Sequence, residues 1–371
     1  MTMDHDVMNA WLAGAGISCS RIAGILETYG DAEAFFRDFQ HQTTTFSDLF
    51  TPREVAALRN GAREDRLSFY RDAMERHGIR SFTLRDAEYP ECLRQMTDTP
   101  AILFRQGSMD ALNGRRIAMV GSRNASYKGL RAAEKLAAGL SQAGVAIISG
   151  LAGGIDTAAH QGCLGGGSPT VAIMGCGLDS VYPTENQKLK NVILEKGGLF
   201  LSEFAPGEKP LGWHFPWRNR IISGLGEALI LVEARIRSGS MTSVQHALEQ
   251  GKDVFVYPGD PESPYCEGNR RLLREGAIYF STAEDVLEDM NWLDKRDNIG
   301  QNSEDATVQT KAEGLPPAHA KVVRALEPGS RSFEQLAEAT SLPAAELLSY
   351  LTILQIRGII RALPGKVYEL S

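Results

Sequence analysis

The stretch IAMVGSR, residues 117–123, decides the fold class of this 371-residue chain. Four apolar residues lead directly into Gly121, Ser122 and Arg123, so an apolar strand ends in a glycine loop. In parallel α/β sheets such a loop presents backbone N–H groups and a helix N-terminus to an anion, and an arginine adds a bidentate phosphate ligand. The sequence therefore predicts a nucleotide-type scaffold with a phosphate cradle at this loop.

The residues that follow lack the features of a dinucleotide site. Such a site requires G-x-G-x-x-G and an acidic residue at the end of the next strand. Here Asn124, Ala125 and Ser126 follow the arginine, and the next apolar run ends in Ser149-Gly150. We therefore expect no cofactor and a phosphate-bearing ligand of another kind.

Around this stretch, short apolar runs alternate with helical patterns over residues 81–290, which is typical of an α/β, Rossmann-like, doubly wound and mostly parallel sheet. The predicted strands are residues 117–120, 145–148, 171–174, 199–202, 229–232 and 254–257. Nearly every strand runs into a glycine-rich or polar loop. Because ligands bind at the carboxyl ends of such strands, we expect a long shallow groove there.

Both flanking segments predict additional domains. Residues 1–80 read as helical, and the turn at residues 14–17 fits either a helix-hairpin-helix that holds a DNA phosphate or a plain helical packing domain. Residues 291–316 are polar and predict a linker. Residues 317–371 predict a winged helix, with helices at 320–326, 333–339 and 344–357 and a hairpin turn at Pro364-Gly365. The third helix has no basic residue before Arg357, so we expect it to be a poor reader of the major groove.

Composition places the chain among ordinary soluble proteins, with 43% hydrophobic and 23% charged residues. No stretch resembles a signal peptide or a membrane span, so we expect a cytoplasmic protein. The five cysteines form no C-x-x-C pair, and we expect neither a disulfide nor a metal site. A net charge of −7 still leaves room for a local basic groove.

A second group of candidate ligands lies in WHFPWRNR, residues 213–220, where aromatic residues interleave with cations. Aromatic faces and cations together bind single strands without strong sequence preference. A single aromatic such as Phe215 is more often a core residue, but we expect Arg218 and Arg220, beside Asn219, to avoid the core and bind anions. The loop Ser238-Gly239-Ser240 also opens a helix and suits helix capping or phosphate contact equally.

Catalytic patterns are weak. Asp156 and His160 share a helix face and could form an acid/base pair, although Asp156 more readily caps the helix. No nucleophile motif or metal-ligand motif occurs in the sequence, so we expect a binding protein and not an enzyme.

The motifs IAMVGSRNAS, IISGLAGGIDTAAHQG, VAIMGCGLDSVYP, LSEF, FPWRNRIISGL, VEARIRSGSMTS and VFVYPGD with EGNRRLLREGA resemble the DNA-processing protein A (DprA/Smf) family in order and spacing. The resemblance covers residues 89–277 and extends to the flanking helical domain, of sterile-alpha-motif or helix-hairpin-helix type, and the winged helix. It implies binding and protection of incoming single-stranded DNA in natural transformation and recombination. It also implies loading of the RecA recombinase past single-strand-binding protein, and a homodimer formed through the sheet domain.

The resemblance further implies that Gly121, Ser122 and Arg123 take phosphates, with Gly153-Gly154 and Arg218-Asn219-Arg220 lining the same groove. Together with the loops above, the candidate DNA-binding residues are Gly121, Ser122, Arg123, Gly150, Gly153, Gly154, Gly175, Gly177, Phe215, Arg218, Asn219, Arg220, Ser238, Gly239, Ser240 and Asn269. The alternative is a nucleotide-cleaving enzyme of the phosphoribohydrolase type. Those enzymes carry P-G-G-x-G-T-x-x-E, and this chain lacks the Thr and the spaced Glu after Pro258-Gly259.

Overall fold

The structure, a computed structural model, describes residues 4–41, 50–293, 317–326, 329–340, 342–356, 359–363 and 367–370. The chain forms two compact units that divide between Met290 and Asn291. The linker predicted at residues 291–316 lies, from residue 294 onward, outside the described residues.

The first unit combines helices with one large sheet. Its helices are α1 (His5–Ala13), α2 (Cys19–Tyr29), α3 (Ala32–His41), α4 (Pro52–Gly61), α5 (Glu64–His77), α6 (Glu91–Arg94), α7 (Tyr127–Gln142), α8 (Ile155–Gly166), α9 (Gln187–Glu195), α10 (His214–Leu225), α11 (Gly239–Glu249), α12 (Glu267–Arg274) and α13 (Ala283–Asp289). Its strands are β1 (Arg80–Thr83), β2 (Ile102–Gly107), β3 (Arg116–Val120), β4 (Ala146–Ser149), β5 (Thr170–Met174), β6 (Leu199–Ser202), β7 (Ala228–Leu231), β8 (Asp253–Val256) and β9 (Ile278–Tyr279).

The sheet has the order β1-β2-β6-β5-β4-β3-β7-β8-β9, in which the pairs β1–β2 and β2–β6 are antiparallel and all other pairs are parallel. From β3, the strands β4, β5 and β6 follow one another on one side, whereas β7 lies on the other side of β3. The order of the sheet therefore reverses between β3 and β7. All six predicted strands and the doubly wound sheet are confirmed, each strand within one residue at either end.

Both faces of the sheet are buried because helices cover each of them. On one face, Ala118 of β3 packs in a cluster with Ile221 of α10 and Val244 of α11. On the other, Phe200 of β6 shares a core with Trp11 of the N-terminal helices. Strands covered on both faces read as continuous apolar runs, which is why the sequence identifies them readily. The boundary predicted at residue 80 therefore separates a helical segment from the sheet within one compact unit.

The second unit has a winged-helix arrangement, as predicted. It consists of α14 (Pro317–Ala325), β10 (Arg331–Ser332), α15 (Phe333–Thr340), α16 (Ala344–Ile356), β11 (Ile360–Leu363) and β12 (Val367–Leu370). The three helices enclose Val322, Leu336 and Leu351, and β12 pairs antiparallel with β10 and β11. The predicted turn at Pro364-Gly365 and the residue Arg357 lie outside the described residues. Across the described residues of both units, no helix is long and apolar enough to cross a membrane.

Candidate nucleic-acid interface

An open groove of about 810 Å³ lies at the carboxyl ends of β3 and β7, where the order of the sheet reverses. Ligands of open α/β sheets bind at this point because two loops diverge and leave a crevice between them. We call it the switch-point groove. It is lined by Val120, Gly121, Ser122, Arg123, Asn124, Ala152, Asp156, Tyr182, Pro210, Gly212, Phe215, Pro216, Arg218, Asn219, Ile222, Arg235, Ser238, Gly239, Ser240 and Ser243.

Arg123 is the exposed cation of the loop that follows β3. Its guanidinium carbon lies 5.0 Å from the centre of the Phe215 ring, a cation–π distance. Arg123 forms no ion pair with any residue in the described part of the chain. Backbone bonds hold the loop beneath it, since the Ser122 N–H donates to the carbonyl of Glu233 at 2.7 Å and the Ile155 N–H donates to the Ser122 carbonyl at 3.1 Å. The loop is fixed while its guanidinium remains free to meet an external anion.

The helix that opens after this loop is not free, which corrects the predicted phosphate cradle. Ser126 caps α7 by accepting from the Gly129 N–H at 3.0 Å. The buried carboxylate of Glu233 accepts from the Ser126 N–H at 2.7 Å and from the Ser126 hydroxyl at 2.8 Å. A helix N-terminus attracts one anion most strongly, and here the protein supplies that anion itself. The cradle therefore consists of Arg123 and the loop, without the N-terminus of α7.

Arg218 of α10 reaches the floor of the groove from inside the protein. It is only 3% exposed, and its Nη1 donates to the carbonyl of Gly150 at 2.9 Å and to that of Ile173. Burial lowers the pKa of Arg218 to about 10; Asp156 opposes this shift and Arg123 adds to it. The guanidinium therefore keeps its charge at neutral pH. The absence of a side chain at Gly150 makes room for it, because a Cβ there would lie 2.5 Å from Nη2.

Arg220 lies outside the groove lining, and the expectation that both arginines avoid the core is wrong. Arg220 is 2% exposed, and its Nη2 donates to both carboxylate oxygens of Glu203, at 2.8 and 2.9 Å. Its guanidinium also lies 4.1 Å from the ring centre of Trp217, whose indole N–H bonds to the same carboxylate at 2.8 Å. A buried cation needs a paired anion, and the Glu203 side chain is what makes this position tolerable for arginine. Arg220 therefore forms a structural ion pair with Glu203.

The loop after β7 supplies the other wall of the groove. Ser238 precedes α11 without making a side-chain capping bond, and its hydroxyl lies 2.8 Å from that of Ser240. Asn219 of α10 donates to the Gly239 carbonyl at 3.1 Å and so ties this loop to the groove floor. The N-terminus of α11 therefore opens onto the groove, in contrast to that of α7.

Arg235 is an exposed groove residue that the sequence reasoning missed. It lies in the same loop, and its guanidinium carbon lies 4.7 Å from the ring centre of Tyr265. The sequence could have indicated Arg235, because it lies in the loop after β7, at the sheet edge where the other predicted loops meet. The groove lining thus includes three guanidiniums, those of Arg123, Arg218 and Arg235, and one carboxylate, that of Asp156.

Two aromatic rings complete the groove. Phe215 is half-buried, and Tyr182, which the sequence reasoning did not select, packs on it with ring centres 5.2 Å apart. Tyr182 is 42% exposed, so one ring presents an accessible face. Trp213 is 62% exposed but lies outside the lining, and Trp217 is engaged by Arg220.

The remaining predicted residues do not line the groove. They are Gly150, Gly153, Gly154, Gly175, Gly177, Arg220 and Asn269. Gly154 has φ +78°, and a Cβ there would lie 2.3 Å from the Ser122 carbonyl oxygen, so only glycine allows this approach. Asn269 is fully buried; it accepts from the Ala234 N–H at 2.8 Å and donates to the Val232 carbonyl at 2.8 Å. Both residues fix the loops that carry the cations.

Asp156 and His160 do not form a catalytic pair. Asp156 accepts from the Gly150 N–H at 3.1 Å, and burial raises its pKa while Arg218 acts in the opposite direction. His160 is fully buried, with Nδ1 2.7 Å from the Thr170 hydroxyl, and burial lowers its pKa to about 3. A ring that is shielded from solvent and held neutral cannot exchange protons with a ligand in the groove. Within the described residues, no cluster of three or more His, Cys, Asp or Glu could hold a metal ion.

Comparisons with known families identify both parts of the chain. The family profile of DNA recombination-mediator protein A matches residues 80–291, and that of the DprA winged helix domain matches residues 306–366. The DNA processing protein DprA of Streptococcus pneumoniae is 43% identical over 212 residues, which is 57% of this chain and 74% of that protein. Protein Smf of Escherichia coli is 37% identical over 281 residues, or 75% of this chain and 74% of the relative.

Solved structures agree with these relatives. The X-ray structure of the S. pneumoniae DprA matches with a TM-score of 0.63 and 36% identity, over 76% of this chain and 97% of that one. A structure of DNA processing protein A from Helicobacter pylori, described for its single-stranded DNA binding mode, matches with a TM-score of 0.51 and 28% identity, over 57% of this chain and 95% of that one. The match to the recombination-mediator profile spans more than half of the chain. The chain therefore belongs to the DNA-processing protein A (DprA/Smf) family.

Proposed function

We propose that this protein binds single-stranded DNA in the switch-point groove. The observation that carries the proposal is the combination of three guanidiniums with the rings of Phe215 and Tyr182 in one open groove. Guanidiniums hold phosphates, and ring faces stack with unpaired bases at about 1–3 kcal/mol per base. A duplex hides its bases in the stack, so only a single strand can use both features. The H. pylori relative, described for its single-stranded DNA binding, supports this assignment.

Phosphates would meet the cations from three directions. Arg123 approaches from the loop after β3, Arg235 from the loop after β7, and Arg218 from the floor between them. The open N-terminus of α11 adds backbone N–H groups on the Arg235 side. Such a site reads the backbone and the base faces rather than base edges, so binding is expected to tolerate any sequence.

Membership of the family supports the finer role as well. We infer that the bound strand is incoming DNA in natural transformation, that the protein protects it, and that it helps load the RecA recombinase onto it. Single-strand-binding protein is the competitor that such loading must displace, and a homodimer through the Rossmann-like unit is the expected assembly. RecA filament formation on DNA coated with single-strand-binding protein, measured with and without this protein, tests the loading step.

The direct test of binding is a titration of labelled single-stranded and duplex oligonucleotides of equal length at two salt concentrations. We expect tighter binding of the single strand and an affinity that falls steeply with salt. Equal or tighter binding of the duplex would contradict the proposal.

We further propose that the protein binds without turnover. Glu233, the carboxylate at the end of β7, is already engaged by Ser126, and His160 is inaccessible. Assays with nucleoside monophosphates and with DNA are expected to give no hydrolysis. Turnover that Asp156→Ala or Glu233→Ala abolishes would instead support the phosphoribohydrolase reading.

A further inference from the structure

The switch-point groove has two ends along the carboxyl edge of the sheet. In the sheet order, the loop after β7, which carries Arg235, lies at one end, and the connection from β6 to α10 lies at the other. This connection lines the groove with Pro210 and Gly212. Four strand spacings separate β7 from β6. At about 4.8 Å each they make about 19 Å, which roughly six nucleotides span at about 3.4 Å per nucleotide. A longer strand that runs along the groove toward β6 therefore leaves it beside Gly212.

Trp213 lies beside this end of the groove with its side chain largely open. It is 62% exposed, although tryptophan is highly buried on average. The preceding Gly212 lines the groove, whereas Trp213 lies outside the lining. The indole is therefore an accessible aromatic surface next to the point where a strand would leave the groove.

Two other rings hold the Trp213 indole in place. Its ring centre lies 4.1 Å from that of His214, at an interplanar angle of 87°, and 6.2 Å from that of Phe204, at 76°. His214 and Phe204 stack on each other at 3.8 Å, and the His214 Nδ1 lies 3.0 Å from the Gly175 carbonyl oxygen. Burial lowers the pKa of His214, so this supporting ring is uncharged at neutral pH. An indole that is already held in this way has little side-chain entropy to lose when a ligand stacks on it.

We propose that the Trp213 indole stacks with a base of a single strand that extends beyond the β6 end of the switch-point groove; we call this surface the Trp213 platform. The proposal rests on the proposed function and adds to it a base contact outside the groove. Every base has a π-face, so the contact carries no strong sequence preference.

The charges around the Trp213 platform favour stacking over a phosphate contact. Between Phe204 and Pro216 the charged residues are Glu208 and Lys209, whose charges cancel. The platform therefore adds no net charge to the interface, in contrast to the three guanidiniums of the groove. An exposed ring also suits a protein partner, but a strand held in the groove is already beside the platform at a high effective concentration. Continuity with the groove therefore favours nucleic acid as the occupant.

The test measures binding of an oligothymidylate of about 20 nucleotides, long enough to reach beyond the groove, by three variants of Trp213. We expect Trp213→Ala to lose about tenfold in affinity, within the range for one stacked base, with an unchanged salt slope because no charge is removed. Trp213→Phe should retain most of the affinity because it keeps a ring. Trp213→Leu should lose as much as Trp213→Ala because it keeps only apolar bulk. The matched control is Phe69→Ala, which removes a 37% exposed ring from α5, a helix that contributes no residue to the groove lining.

A strand without bases isolates the stacking contact. An abasic deoxyribose-phosphate chain of about the same length keeps the phosphates that the guanidiniums hold and has nothing to stack on the indole. On this chain, Trp213→Ala and the parent should bind within twofold of each other.

An unchanged affinity of Trp213→Ala for the oligothymidylate, an equal loss on the abasic chain, a loss matched by Phe69→Ala, or full recovery in Trp213→Leu would overturn the Trp213 platform. Self-association that Trp213→Ala abolishes without a change in DNA affinity would overturn it as well, because the surface would then be a protein interface. If Trp213→Ala does not fold, the comparison of Trp213→Phe with Trp213→Leu decides the question, since both keep a large apolar side chain.

The proposed function has its own readout in Arg123→Ala. If that variant binds the oligothymidylate normally, the groove assignment fails. If it loses affinity while the Trp213 variants do not, only the Trp213 platform fails.

Discussion

The loops that follow β3 and β7 are adjacent at the same sheet edge, and both lead into a helix, yet they are used differently. After β3, the N-terminus of α7 is closed by Ser126 and by the buried carboxylate of Glu233. After β7, the N-terminus of α11 has no side-chain cap and faces the switch-point groove. A glycine loop before a helix therefore does not identify an anion site by itself. The deciding feature is whether the protein has already placed its own carboxylate there.

The same contrast separates Arg218 from Arg220, which lie two residues apart on α10. Arg218 donates to the carbonyls of Gly150 and Ile173 and lines the groove, whereas Arg220 is paired with Glu203 and does not line it. We expect Arg220→Ala to lower the free energy of unfolding by about 3 kcal/mol, because Glu203 would lose its cation in a largely buried position. Urea denaturation measures this, with Arg131→Ala as a control whose ion pair with Glu134 is exposed. If Arg220→Ala instead leaves unfolding unchanged and reduces the salt slope of DNA binding, Arg220 is a DNA ligand after all.

The two helix N-termini can be compared by a matched pair of substitutions. We expect Glu233→Ala to cost about 2 kcal/mol of stability, because the Ser126 amide and hydroxyl would lose their acceptor. Ser238→Ala removes no capping bond, so its melting temperature should stay close to that of the parent. Thermal unfolding of both variants is the measurement. Similar losses in the two would remove the distinction between a closed and an open terminus.

Substitution of Arg123 tests whether the loop after β3 still binds DNA although the N-terminus of α7 is closed. We expect Arg123→Ala to weaken single-stranded DNA binding about twentyfold, close to 1.8 kcal/mol, the loss for one charge-assisted contact. The salt slope should fall by about 0.7, because one counterion contact disappears. Arg123→Lys should restore most of the slope but not all of the affinity, since lysine keeps the charge and loses the bidentate fork. An unchanged affinity and slope in Arg123→Ala would remove this loop from the interface.

The smallest effect is expected from the second unit. Residues 317–371 carry six Lys or Arg against five Glu, which gives little attraction for a phosphate backbone. Deleting the chain after residue 310 should therefore cost less than tenfold in affinity, or about 1.4 kcal/mol. Titration of the full-length and shortened proteins at equal salt measures the difference. A larger loss would make the winged helix a principal DNA-binding element.

Local patterns were sufficient to predict the sheet, and to predict that Gly121–Arg123 and Ser238–Ser240 meet at one edge. They could not predict which cations remain available, because that depends on partners distant in sequence. Glu233 lies 107 residues from the Ser126 it engages, and no local pattern links them. Glu203 follows β6 whereas Arg220 lies on α10, so no local pattern links these two residues either. Arg235, in contrast, could have been predicted from the sequence, since it lies three residues after the predicted strand 229–232.

The position of β2 has a consequence for how the chain is made. β2 pairs with β6, and the N-terminal helices pack on Phe200 of that same strand, about a hundred residues further along. Until β6 leaves the ribosome, the N-terminal helices can pack aromatic rings such as Trp11 and Phe36 on one another, but they lack the strand that completes their shared core. Such long-range pairing delays folding and exposes apolar surface to aggregation or chaperones. The first unit is therefore expected to fold late in synthesis, as one piece, with its N-terminal helices waiting for the sheet.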